Sequence, residues 1–151
     1  MQKLFLVAGL LWLLSGCSGE QAVLTNGDKV TVQFADSQWL VVNYWAIWCA
    51  PCREEIPQFN ALAKQSSALT VLGVNYDGEQ GERLQAQMQQ LKVGFAVLLQ
   101  DPAQRWGIAR PQVLPTTLLI DPQGTLQATL VGPQTLESLQ AALAQAGFTG
   151  D

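Results

Sequence analysis

Two cysteines separated by two residues, Cys49-Ala50-Pro51-Cys52, stand between the apolar run Trp39 to Trp48 and the start of a helical pattern. That order calls for a strand that runs into a sharp loop and then into the first turn of a helix. A helix N-terminus offers unpaired backbone N–H groups and the positive end of its dipole, so a cysteine held there is favoured as the thiolate. The thiolate is the attacking species in thiol–disulfide exchange. Two thiols so placed can close a disulfide and be opened again, and the segment reads as a redox site.

A chain of 151 residues that is 48% apolar has the length of one domain and material for a real core. It contains no histidine, which removes Cys–His catalysis, His-ligated metal sites and imidazole proton transfer together. Carboxylates, thiols, lysine and water are left as acids and bases. Lys3 is the only charge among the first sixteen residues, so the rest carries one positive charge fewer than the −4 of the whole chain, or −5. Nucleic-acid binding, which needs clustered basic residues, is not expected.

The N-terminus has a grammar of its own. Lys3 gives a short positive start, Leu4 to Leu14 is an almost unbroken apolar run, and Leu14-Ser15-Gly16-Cys17 closes it. This is the pattern of an export signal, and the run is short of the roughly 20 residues of a membrane span. Leu14 to Cys17 resemble the lipobox of bacterial lipoprotein signals. The resemblance implies a signal over residues 1–16, lipidation of Cys17 as the mature N-terminus, and membrane attachment through the lipid. Residues 17–22 are then anchor and polar tether, and residues 23–151 the domain. The expected location is the bacterial cell envelope, facing the periplasm. Ser18 in place of an aspartate leans towards the outer membrane over the inner.

With Cys17 lipidated, both remaining thiols lie in one Cys-x-x-Cys. A zinc site would need two more ligands, and neither histidine nor a second cysteine pair is available, so no metal and no cofactor beyond the dithiol is expected. Export implies a compartment in which disulfides persist. The competing reading, a purely structural bridge, is disfavoured because so short a loop constrains the unfolded chain little.

The rest alternates strand and helix signals. Thr25-Asn26-Gly27-Asp28 is a turn between Val23-Leu24 and the alternating run Lys29 to Phe34, an N-terminal hairpin. Leu40 to Trp45 reads as a strand covered on both faces, and Cys52 to Gln65 as a helix kinked at Pro57. Further strands are expected over Leu69 to Tyr76 and Phe95 to Leu99, with a helix from Glu79 to Leu91 between them and a helical turn over Pro102 to Gly107. Thr116 to Ile120 and Thr125 to Val131 flank the turn Asp121-Pro122-Gln123-Gly124. Leu136, Leu139, Leu143 and Ala146 mark a closing helix that stops at Gly147.

Strand, Cys-x-x-Cys, helix, strand, then Pro-Thr before a hairpin and a last helix is the order of the thioredoxin fold. Val41 to Pro57 resembles the active-site segment of the TlpA/ResA-like thioredoxins, and Leu114-Pro115-Thr116-Thr117-Leu118-Leu119-Ile120-Asp121 resembles their cis-proline segment. The longer connection Gly78 to Gln104, with its extra helix and strand, is also similar to theirs. The expected architecture is therefore α/β: a thioredoxin fold with a central mixed sheet flanked by helices, an N-terminal hairpin and an extra αβ insertion.

The resemblance implies a thiol–disulfide oxidoreductase and a role for each matched residue. Cys49 would be the exposed attacking thiol and Cys52 the resolving thiol. Pro115 would be cis and hold its backbone, with Leu114, beside a bound substrate chain, denying metals access to the thiols. Trp48, Ala50 and Pro51 would border that substrate, Trp48 being equally readable as a large residue packed at the loop edge. Plain thioredoxins bury an aspartate under the disulfide where this chain has Asn43, which cannot titrate. Relatives of the TlpA/ResA type carry a glutamate where Glu55 stands, so Glu55 is expected to tune the thiols and move a proton. The competing reading is a solvated first-turn glutamate that merely suits the helix dipole. Arg53 and Glu54 read as surface charges.

Ala50-Pro51 lacks the histidine with which strongly oxidising relatives such as DsbA stabilise their thiolate. Less stabilisation of the reduced form makes a less oxidising disulfide, which favours a reductase. Its substrates would be disulfides of exported proteins, apocytochrome c among them, and its electrons would come through a DsbD- or CcdA-like membrane donor. A disulfide oxidant or isomerase, and a thioredoxin-like binding module with a structural disulfide, remain as alternatives. Peroxiredoxin chemistry is disfavoured because Cys49 has no Thr-x-x-Cys setting.

Overall fold

The computed structural model describes residues 19–34 and 38–150. The signal over 1–16, Cys17 and Ser18 lie outside the described residues. Seven strands form one mixed sheet in the order β2-β1-β5-β4-β3-β6-β7. These are β1 (Gly19–Val23), β2 (Lys29–Gln33), β3 (Trp39–Trp45), β4 (Leu69–Asn75), β5 (Ala96–Leu98), β6 (Thr116–Ile120) and β7 (Leu126–Val131). Three helices, α1 (Ala50–Leu62), α2 (Gly81–Leu91) and α3 (Leu136–Ala146), and a 3₁₀ turn over Ala103–Trp106 complete the fold.

β3 is the centre because every residue in it is buried, as its near-continuous apolar sequence requires. It pairs in parallel with β4 and antiparallel with β6. Its alternate side chains divide the core. Val41 and Trp45 pack with Ile56 and Phe59 of α1, Leu84 and Met88 of α2, and Leu139 and Leu143 of α3. Leu40, Val42 and Tyr44 meet the opposite layer, where Val30, Val32, Trp106 and Ile108 pack. The steps β3-α1-β4 and β4-α2-β5 advance in one direction across the sheet, so right-handed crossovers leave both helices on one face. The run from β5 to β6 crosses the other face.

One hydrogen-bonded row orients the molecule: Ala22, Leu98, Val74, Tyr44, Thr116 and Val131 are successive partners from β1 to β7. Beyond this row lies the end of the sheet at which β3, β4, β5 and β7 finish and β1 and β6 begin. At the far end, Phe148 after α3 meets Trp39 at the start of β3, ring centroids 6.2 Å apart.

The N-terminal hairpin begins earlier than its sequence signals suggest. Gly19, Glu20 and Gln21, read as polar tether, belong to β1, paired with Gln33, Val32 and Thr31 of β2. They are strand because β5 supplies the other edge: the Leu99 N–H donates to the Gln21 carbonyl at 2.9 Å. Helix α1 begins at Ala50 instead of Cys52 and ends at Leu62, and Pro57 stands inside it with its ring exposed. Pro51 occupies its first turn, where a missing N–H costs nothing.

Candidate active site

Cys49 and Cys52 form a disulfide with Cα atoms 5.3 Å apart. Cys49 is the N-cap of α1, and its sulfur accepts from the Cys52 N–H at 3.3 Å. The first thiol thus sits where the unpaired amides and dipole of α1 favour a thiolate. Cys49, expected as an exposed thiol, is itself buried in the disulfide form, at 4% exposed against 0% for Cys52, because the loop packs both cysteines into the core cluster. Cys49 is the slightly more accessible residue of the two. Ala50 is exposed and Pro51 partly so.

The Leu114–Pro115 peptide is cis, and Pro115 leads directly into β6, which pairs with β3. The Pro115 carbonyl accepts from the Gly132 N–H at 2.9 Å, and the Thr116 hydroxyl donates to the Val113 carbonyl at 2.8 Å. The first of these bonds joins the proline segment to the end of β7, and the second closes a turn within the segment itself. Leu114, partly buried, packs against both layers of the core. Trp48, Val113 and Val131 are the exposed large apolar side chains among the described residues, at 59%, 54% and 61%, and all stand at this end of the sheet.

Glu55 lies three residues after Cys52 on the inward face of α1 and is 1% exposed, which rules out the solvated first-turn reading. One carboxylate oxygen accepts from Asn43 Nδ2 at 2.7 Å and the other from the Gln134 backbone N–H at 3.0 Å. Burial pushes the Glu55 carboxyl up to about 7, against the pull of the two donated hydrogen bonds. A carboxyl that exchanges its proton near neutrality, one turn from a thiol pair, can serve as acid and base. Asn43 Nδ2 also reaches the Thr117 hydroxyl at 3.3 Å, whereas its Oδ1 has no hydrogen-bond partner among the described residues. Arg53 and Glu54 are exposed, as expected.

Trp48 rests on a built platform. Its indole N–H donates to both carboxylate oxygens of Asp77, at 2.9 and 3.1 Å, and its ring meets Tyr76 edge-on at 6.5 Å. Arg110 lies over the other side of this platform, its guanidinium 4.0 Å from the Tyr76 ring centroid and donating to the Tyr76 carbonyl. Asp101 holds Arg110 at 3.1 Å and accepts from the Tyr44 hydroxyl at 2.7 Å. Burial, then Asp101, raises the Tyr44 phenol well above its ordinary value, so it remains a donor. Sequence reasoning missed Asp77, Tyr76, Arg110 and Asp101, and missed Asn43 as the partner of Glu55. The one available signal was that Asp77 directly follows a strand ending beside the cysteines.

Among the described residues no group of three histidine, cysteine, aspartate or glutamate side chains is placed to hold a metal ion. The family model described as AhpC/TSA family matches residues 20–129. The thioredoxin-like protein YneN of Bacillus subtilis (strain 168) is 32% identical over 124 residues, covering 78% of this chain and 71% of that protein. The thiol-disulfide oxidoreductase ResA of the same organism is 29% identical over 113 residues, covering 74% and 63%. In fold, the chain matches the crystal structure of StoA from Bacillus subtilis with a TM-score of 0.64 at 23% identity, over 85% of this chain and 98% of that one.

Proposed function

The chain belongs to the AhpC/TSA family of thioredoxin-fold proteins and is a thiol–disulfide oxidoreductase of the TlpA/ResA-like kind, and from that premise we propose that it reduces disulfides of exported proteins from a lipid anchor at Cys17. The observation that carries this reading is the Cys49–Cys52 disulfide at the N-terminus of α1, with Cys49 directly after exposed Trp48.

The chemistry balances within the chain. In the dithiol form the Cys49 thiolate attacks a substrate disulfide, forms a mixed disulfide and expels one substrate thiolate. The Cys52 thiol loses its proton and attacks the Cys49 sulfur, closing the Cys49–Cys52 bond and releasing the second substrate thiolate. Two electrons pass to the substrate, which takes up two protons. Glu55 accepts the Cys52 proton during release and returns one when the pair is reduced again. Cis-Pro115 and Leu114 lie along the substrate chain, and Trp48, Ala50 and Pro51 border it.

Reduction is favoured over oxidation because Ala50-Pro51 supplies no group that stabilises the Cys49 thiolate beyond the helix terminus itself. Disulfides of exported proteins, apocytochrome c among them, are the substrates, and a DsbD- or CcdA-like protein re-reduces the pair. Peroxidase chemistry finds no support, since Ala46 stands where a Thr-x-x-Cys setting places threonine. A redox titration tests the direction: the expected potential lies nearer thioredoxin's, about −270 mV, than DsbA's, about −120 mV. A value near DsbA's overturns the reductase assignment. In parallel, Cys52→Ser should accumulate mixed disulfides on Cys49, and the captured proteins name the substrates.

A further inference from the structure

Glu55 is held between two donors. The Gln134 backbone N–H donates to one carboxylate oxygen, Oε2, at 3.0 Å, and Asn43 Nδ2 donates to the other, Oε1, at 2.7 Å. That arrangement satisfies a carboxylate, which only accepts. It does not satisfy the acid, whose added proton needs an acceptor, and burial of the side chain keeps bulk water from supplying one. The Gln134 N–H belongs to the backbone just before Thr135, the N-cap of α3, and is a donor in both states. The proton is thereby assigned to Oε1, on the side of Asn43. There the same amide carries an acceptor: Asn43 Oδ1, buried and without a hydrogen-bond partner among the described residues.

We infer that Asn43 is the positioning residue of the proton step: its side-chain amide turns over as Glu55 gains and loses its proton, donating through Nδ2 to the carboxylate and accepting through Oδ1 from the acid. A half-turn about χ2, a broad and roughly twofold torsion, exchanges the two ends. The Thr117 hydroxyl, which accepts from Nδ2 at 3.3 Å, suits either orientation because it can equally donate to Oδ1. The inference rests on Glu55 as the carrier of the Cys52 proton. When Cys52 gives that proton up, the Nδ2–H to Oε1 bond breaks and a bond from the Glu55 O–H to Oδ1 forms. When the pair is reduced again the proton returns to Cys52 and the amide turns back. Leucine at position 43 would leave both states of Glu55 unpaired on this side.

The neighbours leave this titration to Glu55 alone. On α1 the cysteines are closed as a disulfide and Arg53 and Glu54 are exposed; α3 brings exposed Glu137 in its first turn, β6 has no titratable residue, and Tyr44 of β3 packs in the opposite layer. The test therefore uses the disulfide form of the full chain, isotope-labelled and purified in detergent. Nuclear Overhauser effects from the Asn43 amide protons, which burial protects from exchange, to the Glu55 side chain should be present at pH 9 and lost at pH 5. Glu55→Gln, whose amide donates at every pH, should show the pH 5 pattern at both. In reduced Asn43→Leu the Glu55 inflection in Cys49 alkylation should move upward by about one to two pH units, the worth of a lost hydrogen bond to a charged group. Unchanged Overhauser effects in the parent overturn the inference, whether or not the variants fold. So does a crystal structure that shows the amide unmoved at both pH values, with a fixed water on Oδ1 and on Trp45 Nε1, the other buried unpartnered atom among the described residues. An amide that turns over beside a Cys49 profile free of any Glu55 inflection sinks the carrier role and leaves the dithiol chemistry intact.

Discussion

Asn43 Nδ2 donates to Glu55 Oε1 at 2.7 Å inside the core, with both residues sealed from solvent. β3 and α1 thereby share one polar contact beneath the disulfide, in a layer otherwise made of Val41, Trp45, Ile56 and Phe59. An aspartate at position 43 would set two carboxyls against each other and drive one pKa strongly upward. With asparagine, Glu55 titrates alone, and a proton near neutrality resides on one known atom group.

The reactivity of the reduced pair should carry that titration. Alkylation of Cys49 followed from pH 5 to 9 should show an inflection near 7 in addition to the thiol's own, because the field at the sulfurs changes when Glu55 ionises. In Glu55→Gln the inflection near 7 should vanish while the thiol's own step remains. Profiles that superimpose would show that Glu55 has no influence on the sulfurs.

Stability should move with the same proton. The Glu55 carboxyl rises from 4.5 to about 7 on folding through burial, so the folded state keeps a proton that the unfolded chain loses between those values. Stability therefore falls as pH climbs from about 4.5 to 7 and levels off above, by at most about 3 kcal/mol at 1.36 kcal/mol per pKa unit. Glu55→Gln removes the slope. Its amide would present an N–H towards Asn43, whose unpartnered Oδ1 can accept it after a flip of the amide. Urea midpoints at pH 5 and pH 8 should converge for the variant and differ for the parent.

The path of the chain from β3 to α1 was legible because its signals are local: an unbroken apolar strand, a proline allowed in the first helical turn, and cysteines at the junction. Pro115 was legible through resemblance, since isomer state leaves no mark in composition. β1 was hidden because Gly19-Glu20-Gln21 has no strand pattern of its own, and its partners Thr31 to Gln33 and Leu99 come from elsewhere in the chain. The Trp48 platform was hidden for the same reason. Tyr44, Tyr76, Asp101 and Arg110 are ordinary surface-type or core-type residues until the sheet and the crossing over its far face bring them together.

That platform has a measurable consequence for substrate binding. Arg110 joins the loop carrying Tyr76 and Asp77 to the segment leading into cis-Pro115, the two sides of the Cys49 opening. Its ion pair with Asp101 is partly exposed and worth little, but the cation over Tyr76 contributes about 0.5–1 kcal/mol. Arg110→Gln should raise KM for insulin about two- to fivefold with kcat unchanged, and Trp48→Ala should raise it at least as much. Reduction of a small disulfide reagent should be unaffected by Arg110→Gln. Loss against both substrates alike would mean that Arg110 supports the fold and not the binding face.

Packing beneath the site gives the last expectation. Gly73 of β4 pairs with Asn43, and a Cβ added there would stand 2.9 Å from Trp45 Nε1, 3.0 Å from Phe95 Cε2 and 3.1 Å from Val97 Cγ2. All three neighbours are buried ring or branched side chains, so none can swing into solvent to make room. Gly73→Ala should therefore destabilise the protein by about 1–3 kcal/mol, the usual cost of overpacking, despite alanine's better strand propensity. The strain should be relieved in part by Phe95→Leu, which removes the ring atom that makes one of the three contacts. A double-mutant cycle from urea unfolding measures this: Gly73→Ala should cost less in the Phe95→Leu background than in the parent. Equal costs in both backgrounds would mean that Phe95 is not what resists the added methyl group.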